Sequence, residues 1–170
     1  MSAPSPSSPA VRHALPDDES RLRDLQGHLD EGAPALLDAA LSGTFGECLV
    51  AVGDPDSNSR RPVGYLLAVD GDGGVPSSHV APDDALGGET SIHVAELVVA
   101  PEARRQGHAS ALLATLLARH PEATLTLTVA PDNDAARALY ERFGFEVSST
   151  LPDFFDDGPG LLLVRRPRPE

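Results

Sequence analysis

The sequence predicts a mixed α/β domain, and three observations carry that reading. Apolar runs and period-two segments alternate along the chain with segments of helical periodicity. Glycine- and proline-rich punctuation separates them. The length, 170 residues, is enough for one domain with a real core. Together the segments read in the order β α α β β β α β α β β.

VRHA, residues 11–14, is a short first strand. PDDESRLRDLQGHL follows, with acidic residues ahead of Leu22, Leu25 and Leu29, the pattern of an amphipathic helix with a stabilised N-terminus. PALLDAAL predicts a second, shorter helix. ECLVAVGD and PVGYLLAVD are two strands joined by the polar, turn-rich DPDSNSRR. Residues 70–90 are rich in Gly, Pro, Asp and Ser without periodicity, and predict a long exposed loop. SIHVAELVVA is the next strand. A helix is expected from Gln106 to His120, because Ala109, Leu112, Leu113, Leu116 and Leu117 recur at i, i+3, i+4, i+7 and i+8. TLTLTV alternates Leu125, Leu127 and Val129 against threonines, a strand with one buried face. DNDAARALYERFGF opens with capping residues and stops at Gly144. FEVSST and LLLVRR close the sheet as two final strands. The N-terminal MSAPSPSSPA has no basic segment leading into an apolar one; residues 1–10 are expected to be a disordered tail ahead of one domain at 11–167.

Charge and cysteine usage exclude several function classes. The net charge is −13, all the basic residues are Arg, and there is no Lys. Phosphate backbones call for a basic surface, so nucleic acid is not an expected partner, and anionic membranes are disfavoured as well. No run reaches the roughly 18 apolar residues of a membrane span. The acidity reads either as an ordinary solvated surface or as adaptation to high salt, where self-repulsion is screened. A lysine-free acidic surface resembles that of proteins from salt-loving archaea, though a GC-rich genome would also favour Arg. The single cysteine, Cys48, excludes an internal disulfide and a cysteine-cluster metal site, and its apolar setting CLVAV marks it as core filler. These features favour the cytoplasm and predict no metal.

Between strand VAELVVAP and helix ALLATLLARH stands RRQGHAS, residues 104–110. The first N–H groups of a helix lack intrahelical partners and make an anion site. Gly107 lets backbone approach a ligand, Ala109 and Ser110 keep the next turn slim, and Arg104 and Arg105 add positive charge. A phosphate or diphosphate is the ligand such a turn takes, although a strand-turn-helix of this composition can equally be structural. Neither a Walker P-loop nor G-x-G-x-x-G is present.

Arg104-Arg105-Gln106-Gly107-His108-Ala109 resembles the [QR]-x-x-G-x-[GA] signature of the GNAT superfamily of acetyl-CoA-dependent N-acetyltransferases. LTVAPDNDAARALYERFGFE is similar to that family's next strand and helix, with N-x-x-A-x-x-L-Y-x-x-x-G-F at Asn133 to Phe145. The two blocks cover residues 93–147. The resemblance implies the GNAT fold: a mixed, mostly antiparallel sheet of six or seven strands with about four flanking helices, splayed between its fourth and fifth strands. It implies that the amides from Arg105 to Ser110 hold the CoA diphosphate, with Arg104, Gln106 and His108 beside them. It also implies that Leu97, Val98 and Val99 offer backbone groups to pantetheine, and that Asn133 and Tyr140 touch the cosubstrate. The Val99 N–H would polarise the thioester carbonyl. Dimers are common in the superfamily, so a homodimer is among the expectations.

Acetyl transfer to an amine needs a group to take the amine's proton and one to stabilise the departing thiolate. Tyr140 is the candidate for the second role, because its motif position implies a phenol near the sulfur; a packing role is the alternative. For the first, His93 lies on the strand leading to the cosubstrate and shares a face with Ala95, Leu97 and Val99; an imidazole titrates near neutrality. Glu96 lies on the opposite face, structural or catalytic. His108 is expected to point out of the helix start as an adjunct to phosphate binding.

The segment from Tyr140 to Leu163 resembles the RimI-type N-terminal acetyltransferases of ribosomal proteins. Two departures stand out. That family's paired tyrosines are Phe154 and Phe155 here, which line an apolar acceptor pocket or plug the end of the sheet, and its Glu-x-Arg is Thr128-Val129-Ala130. The expected function is transfer of acetyl from acetyl-CoA to a primary amine of a small molecule or peptide. The alternatives are a peptide N-terminal acetyltransferase and a non-catalytic acyl-CoA-binding domain.

Overall fold

The computed structural model describes residues 9–29, 32–53, 60–71, 90–156 and 158–168. Residues 1–8 of the expected tail and 72–89 of the expected loop lie outside these. Seven strands form one sheet: β1 (Ala10–His13), β2 (Glu47–Val52), β3 (Pro62–Asp70), β4 (Ser91–Val99), β5 (Thr124–Val129), β6 (Glu146–Phe155) and β7 (Gly158–Arg165). Four α-helices are present among the described residues: α1 (Glu19–Gln26), α2 (Pro34–Leu41), α3 (His108–Arg119) and α4 (Asp134–Arg142). The strand order is β1-β2-β3-β4-β5-β7-β6. β1 pairs with β2, β5 with β7 and β6 with β7 antiparallel, and β4 pairs with β5 in parallel. Among the described residues the β4–β5 ladder covers Ser91 to His93, three of the nine residues of β4. The sheet is the expected mixed one of seven strands, with β4 and β5 its parallel pair.

The chain forms two compact units, Met1–Leu67 with Glu96–Ala118, and Ala68–Ala95 with Arg119–Glu170. In the first, the apolar stripes of α1 and α2 put Leu22, Leu25 and Leu37 in the interior, with Leu49 and Val50 of β2, Tyr65 and Leu66 of β3, and Leu112, Leu113 and Leu116 of α3. Gly64 lets β3 approach β4 closely: a Cβ there would lie 2.8 Å from the Val98 carbonyl oxygen. The second unit buries Leu125 and Leu127 of β5, Phe145, Leu151 and Leu163.

Three sequence expectations shift. The helix expected from Gln106 starts at His108, because the two preceding residues belong to the turn. The buried stripe of α3 is His108, Leu112, Leu113 and Leu116, so Ala109 and Leu117 flank it and are only partly covered. The strand expected to end at Thr150 runs on through LPDFF to Phe155, with a register shift between Leu151 and Phe155 that the left-handed Asp153 (φ 56°) accommodates.

Candidate active site

The turn between β4 and α3 is built as its sequence suggests. A 3-10 turn, Pro101–Ala103, leads out of β4. Arg105 (φ 62°) and Gly107 (φ 82°) then both adopt left-handed backbone, and α3 opens at His108. Alternation of this kind turns successive N–H groups to one side, and the helix adds its unpaired first-turn donors. Among the described residues a Cβ on Gly107 would meet one atom within 4 Å, Pro9 Cγ at 4.0 Å, so the glycine is required by its backbone angle and not by a close neighbour. Arg104 Nε donates to the Val99 carbonyl oxygen (3.2 Å) and Gln106 Nε2 to that of Glu102 (3.3 Å), which ties the turn to the strand it leaves. The turn fits a diphosphate on geometry and charge. His108, expected to point outward, is instead 6% exposed. It lies one turn before Leu112 and shares its face; its Nδ1 is buried without a hydrogen-bond partner among the described residues, and burial lowers its pKa.

β4 presents two chemically different faces, as its alternation requires. On one face, within the second unit, His93 Nδ1 lies 2.9 Å from Thr126 Oγ1 of its register partner on β5. Burial pushes the His93 imidazole down to about 4, because removing the charged ring from water disfavours protonation. The near-neutral titration expected of it is therefore displaced: His93 is neutral at physiological pH and a weak base.

On the other face, within the first unit, Glu96 is 5% exposed. Its Oε2 accepts from Tyr65 Oη (2.6 Å), both oxygens accept from Gln26 Nε2 (3.1 Å each), and Oε1 accepts from the Ala33 backbone N–H. Neutral donors alone satisfy this carboxylate, and no cation pairs with it among the described residues. The cluster ties β3, β4, the end of α1 and the α1–α2 connection together. The Tyr65 phenol is pushed far up by burial and by that carboxylate. Cys48 is a buried free thiol, raised to about 12 by burial and then by the Glu96 charge, so it is core filler.

In the second unit, Asn133 caps α4: its Oδ1 accepts from the Ala136 N–H (3.2 Å). Gly144 (φ 89°) ends that helix as expected. Tyr140 is 9% exposed, its ring edge-on to Phe145 with centroids 5.8 Å apart. Its hydroxyl makes no hydrogen bond among the described residues, and burial raises the phenol to about 12. Phe154 and Phe155 stack edge to face at 4.9 Å near the end of β6.

The acetyltransferase (GNAT) family model matches residues 12–145. The chain belongs to the GNAT acetyltransferase family. By that membership it is an acyltransferase. Similar solved structures include Arabidopsis thaliana NAA60 in complex with acetyl-CoA, at 21% identity and a TM-score of 0.76, covering 94% of this chain and 98% of that one. The ribosomal-protein-S18-alanine N-acetyltransferase from Escherichia coli is 17% identical, with a TM-score of 0.71 and coverage of 95% and 96%. Ard1 from Thermoplasma volcanium is 19% identical, with a TM-score of 0.72 and coverage of 95% and 99%. Among curated proteins there is no match. These GNAT likenesses establish the fold.

Sequence reasoning named Glu96 and His93 but missed their partners. Gln26 and Tyr65 stand 70 and 31 residues from Glu96, and Thr126 stands 33 from His93. The lone polar Tyr65 inside the apolar run PVGYLLAVD was the available signal: a buried phenol needs a hydrogen-bond partner. Among the described residues no three His, Cys, Asp or Glu gather as metal ligands, and no helix is long and apolar enough to cross a membrane.

Proposed function

We propose that this GNAT protein is an N-acetyltransferase that moves the acetyl group of acetyl-CoA directly to a primary amine of a small molecule or peptide, within a ternary complex. The observation that carries the reading is the β4–α3 turn, where left-handed Arg105 and Gly107 precede a helix start. In this reading the amides from Arg105 to Ser110 hold the diphosphate, with the Arg104 and Gln106 side chains beside them, while the His108 side chain packs inward. Leu97, Val98 and Val99 offer backbone groups to the pantetheine arm, and Asn133 lies along it. Bound acetyl-CoA supplies the acyl thioester and the thiolate leaving group. The Val99 N–H polarises the thioester carbonyl. Tyr140 Oη donates a proton or hydrogen bond to the departing sulfur; its burial keeps the phenol protonated across the working range, and its unpartnered hydroxyl leaves that bond to be made.

His93 is the better candidate for accepting the amine's proton. It is neutral, and Thr126 orients one ring nitrogen. Glu96 already accepts from Tyr65, Gln26 and Ala33, which suits a clasp more than a base. Phe154 and Phe155 supply an apolar wall for the acceptor. Such an enzyme would work in the cytoplasm, and a homodimer fits the habits of the superfamily.

A second reading, acetylation of peptide N-termini, draws support from the bound species of similar structures: one NAA60 structure and that of Arabidopsis thaliana Naa50 each hold a bisubstrate analogue, the latter CoA-Ac-MVNAL. Against it stand the phenylalanines where the RimI-type pattern has tyrosines. The test is acetyl-CoA turnover measured over a panel of small amines and peptides with free N-termini. Turnover with one class assigns the acceptor. Acetyl-CoA binding without transfer to any member would overturn the proposed transfer to a small or peptide amine.

A further inference from the structure

We propose that Gly64 positions the oxyanion donor: because β3 carries no side chain there, the Val98 carbonyl seats against that strand and the Val99 N–H is aimed away from it, at the thioester carbonyl. This rests on the reading of the Val99 N–H as the donor and deepens it by naming the residue that sets its direction. Gly64, Val98 and Val99 all belong to the first unit.

Gly64 is the one glycine of β3, PVGYLLAVD. A Cβ built on it would lie 2.8 Å from the Val98 carbonyl oxygen, 3.1 Å from Val99 Cγ2 and 3.3 Å from Val99 Cα. A regular pleated pair leaves room for a Cβ at every position, because side chains stand perpendicular to the sheet. Here the carbonyl occupies that room. Two of the three contacts are with backbone, which cannot swing aside as the end of a side chain can.

The direction of the Val99 N–H follows. The peptide is planar and trans, so the N–H of Val99 points opposite to the C=O of Val98. That carbonyl is turned toward β3, so the N–H is turned away from it. The next amide agrees: the Ala100 N–H donates to the Val63 carbonyl oxygen at 2.7 Å, and successive amides of a strand face alternate edges. On the far edge, the β4–β5 ladder covers Ser91 to His93 among the described residues and does not reach Val99. The Val99 N–H therefore faces the edge of β4 where a ligand oxygen can meet it, and a donor of this kind works only if its direction is fixed before charge develops.

Stability alone does not favour glycine here. Inside a strand it loses more backbone freedom on folding and has no side chain to pack. Its neighbour Tyr65 reaches Glu96 on the opposite face, so β3 spends its side chains where it can. At Gly64 the strand gives one up, and the carbonyl that orients the Val99 amide fills the space.

The test compares wild type with Gly64→Ala and with the double variant Gly64→Ala/Val99→Ala. The amide resonance of Val99 is followed as acetyl-CoA is added, and kcat is read with whichever amine the wild type acetylates. In the wild type the resonance should move on binding. In Gly64→Ala the added methyl displaces the Val98–Val99 peptide, so the resonance should start elsewhere and no longer respond. Its kcat should fall by about 10²-fold, the size of one lost oxyanion donor, with little change in the KM of acetyl-CoA. The double variant removes the Cγ2 contact and keeps the carbonyl contact, so it should stay as impaired; it also carries the comparison if Gly64→Ala does not fold. Gly64→Ala with near-wild-type kcat, or with a Val99 amide that still responds to acetyl-CoA as in the wild type, overturns the inference. So does recovery in the double variant, because that is the signature of side-chain crowding alone. A wild-type Val99 amide left unmoved by saturating acetyl-CoA overturns instead the reading of that N–H as the donor, and this inference with it.

Discussion

Tyr65 donates its phenolic hydrogen to Glu96 Oε2 at 2.6 Å, and both groups lie in the interior with no cation beside them among the described residues. A desolvated carboxylate persists only when its lone pairs are filled, and here Gln26 and the Ala33 N–H complete the set. The arrangement is a clasp between strands and the connection after α1. Glu96→Ala should leave three buried donors unpaired and cost about 3–5 kcal/mol. Tyr65→Phe removes one donor and should cost about 1–3 kcal/mol. Urea denaturation measures both. A Glu96→Ala variant within about 1 kcal/mol of wild type would mean that water replaces the carboxylate without penalty.

Gly107 is the next point where structure makes a number. Its φ of 82° suits glycine, and among the described residues a Cβ there meets nothing closer than 4.0 Å. Gly107→Ala should therefore cost about 1 kcal/mol of stability through backbone strain alone. Gly107→Glu adds a negative charge at the diphosphate position. Acetyl-CoA affinity should fall at least about tenfold, or roughly 1.4 kcal/mol, with the fold retained. Calorimetry giving an unchanged Kd would remove the diphosphate from this turn.

His93 makes stability depend on pH. Its folded pKa, about 4, lies below the unfolded value of about 6.5, because the buried ring resists protonation. The unfolded chain therefore binds this proton first as pH falls. The folded state keeps its full advantage above about pH 6.5 and loses roughly 3 kcal/mol by about pH 4 from this one residue. His93→Asn should flatten the stability profile across that window relative to wild type. If His93 is also the base, the acidic limb of kcat/KM for the wild type should fall near pH 4, well below the range of a free imidazole. A limb near pH 6.5 that survives in His93→Asn would assign the proton to another group.

Much of this fold was legible because local pattern and tertiary burial agree. β3 and β5 run over the same residues that PVGYLLAVD and TLTLTV predict, and α4 carries its cap at Asn133 and its stop at Gly144. The extension of β6 was not legible: the sequence reading ends the strand at Thr150, yet the left-handed Asp153 lets it run on and pairing resumes at Phe155. The site was legible where it is made of backbone, as at Gly107, and opaque where it is made of contacts. Nothing near Glu96 in the chain announces Gln26. His108 reads in the sequence as pointing out of the helix start toward a phosphate, whereas its place one turn before Leu112 puts it on the buried stripe.

Tyr140 offers the sharpest separation of chemistry from packing. Its ring is buried against Phe145, but its hydroxyl makes no hydrogen bond among the described residues. Tyr140→Phe keeps the ring and removes an oxygen that bonds to none of the described residues. The stability change should stay within about 0.5 kcal/mol, the range of a substitution that breaks no contact. If the phenol donates to the departing thiolate, the loss appears in the transition state alone. Then kcat should fall by about 10²-fold, with little change in the KM of the acceptor. The phenol titrates at about 12, so wild-type activity should show no basic limb from this residue at any pH where the protein is ordinarily assayed. Single-turnover measurement isolates the chemical step from product release. Near-full kcat in Tyr140→Phe under those conditions would make Tyr140 a packing residue and leave the thiolate to be stabilised by another donor.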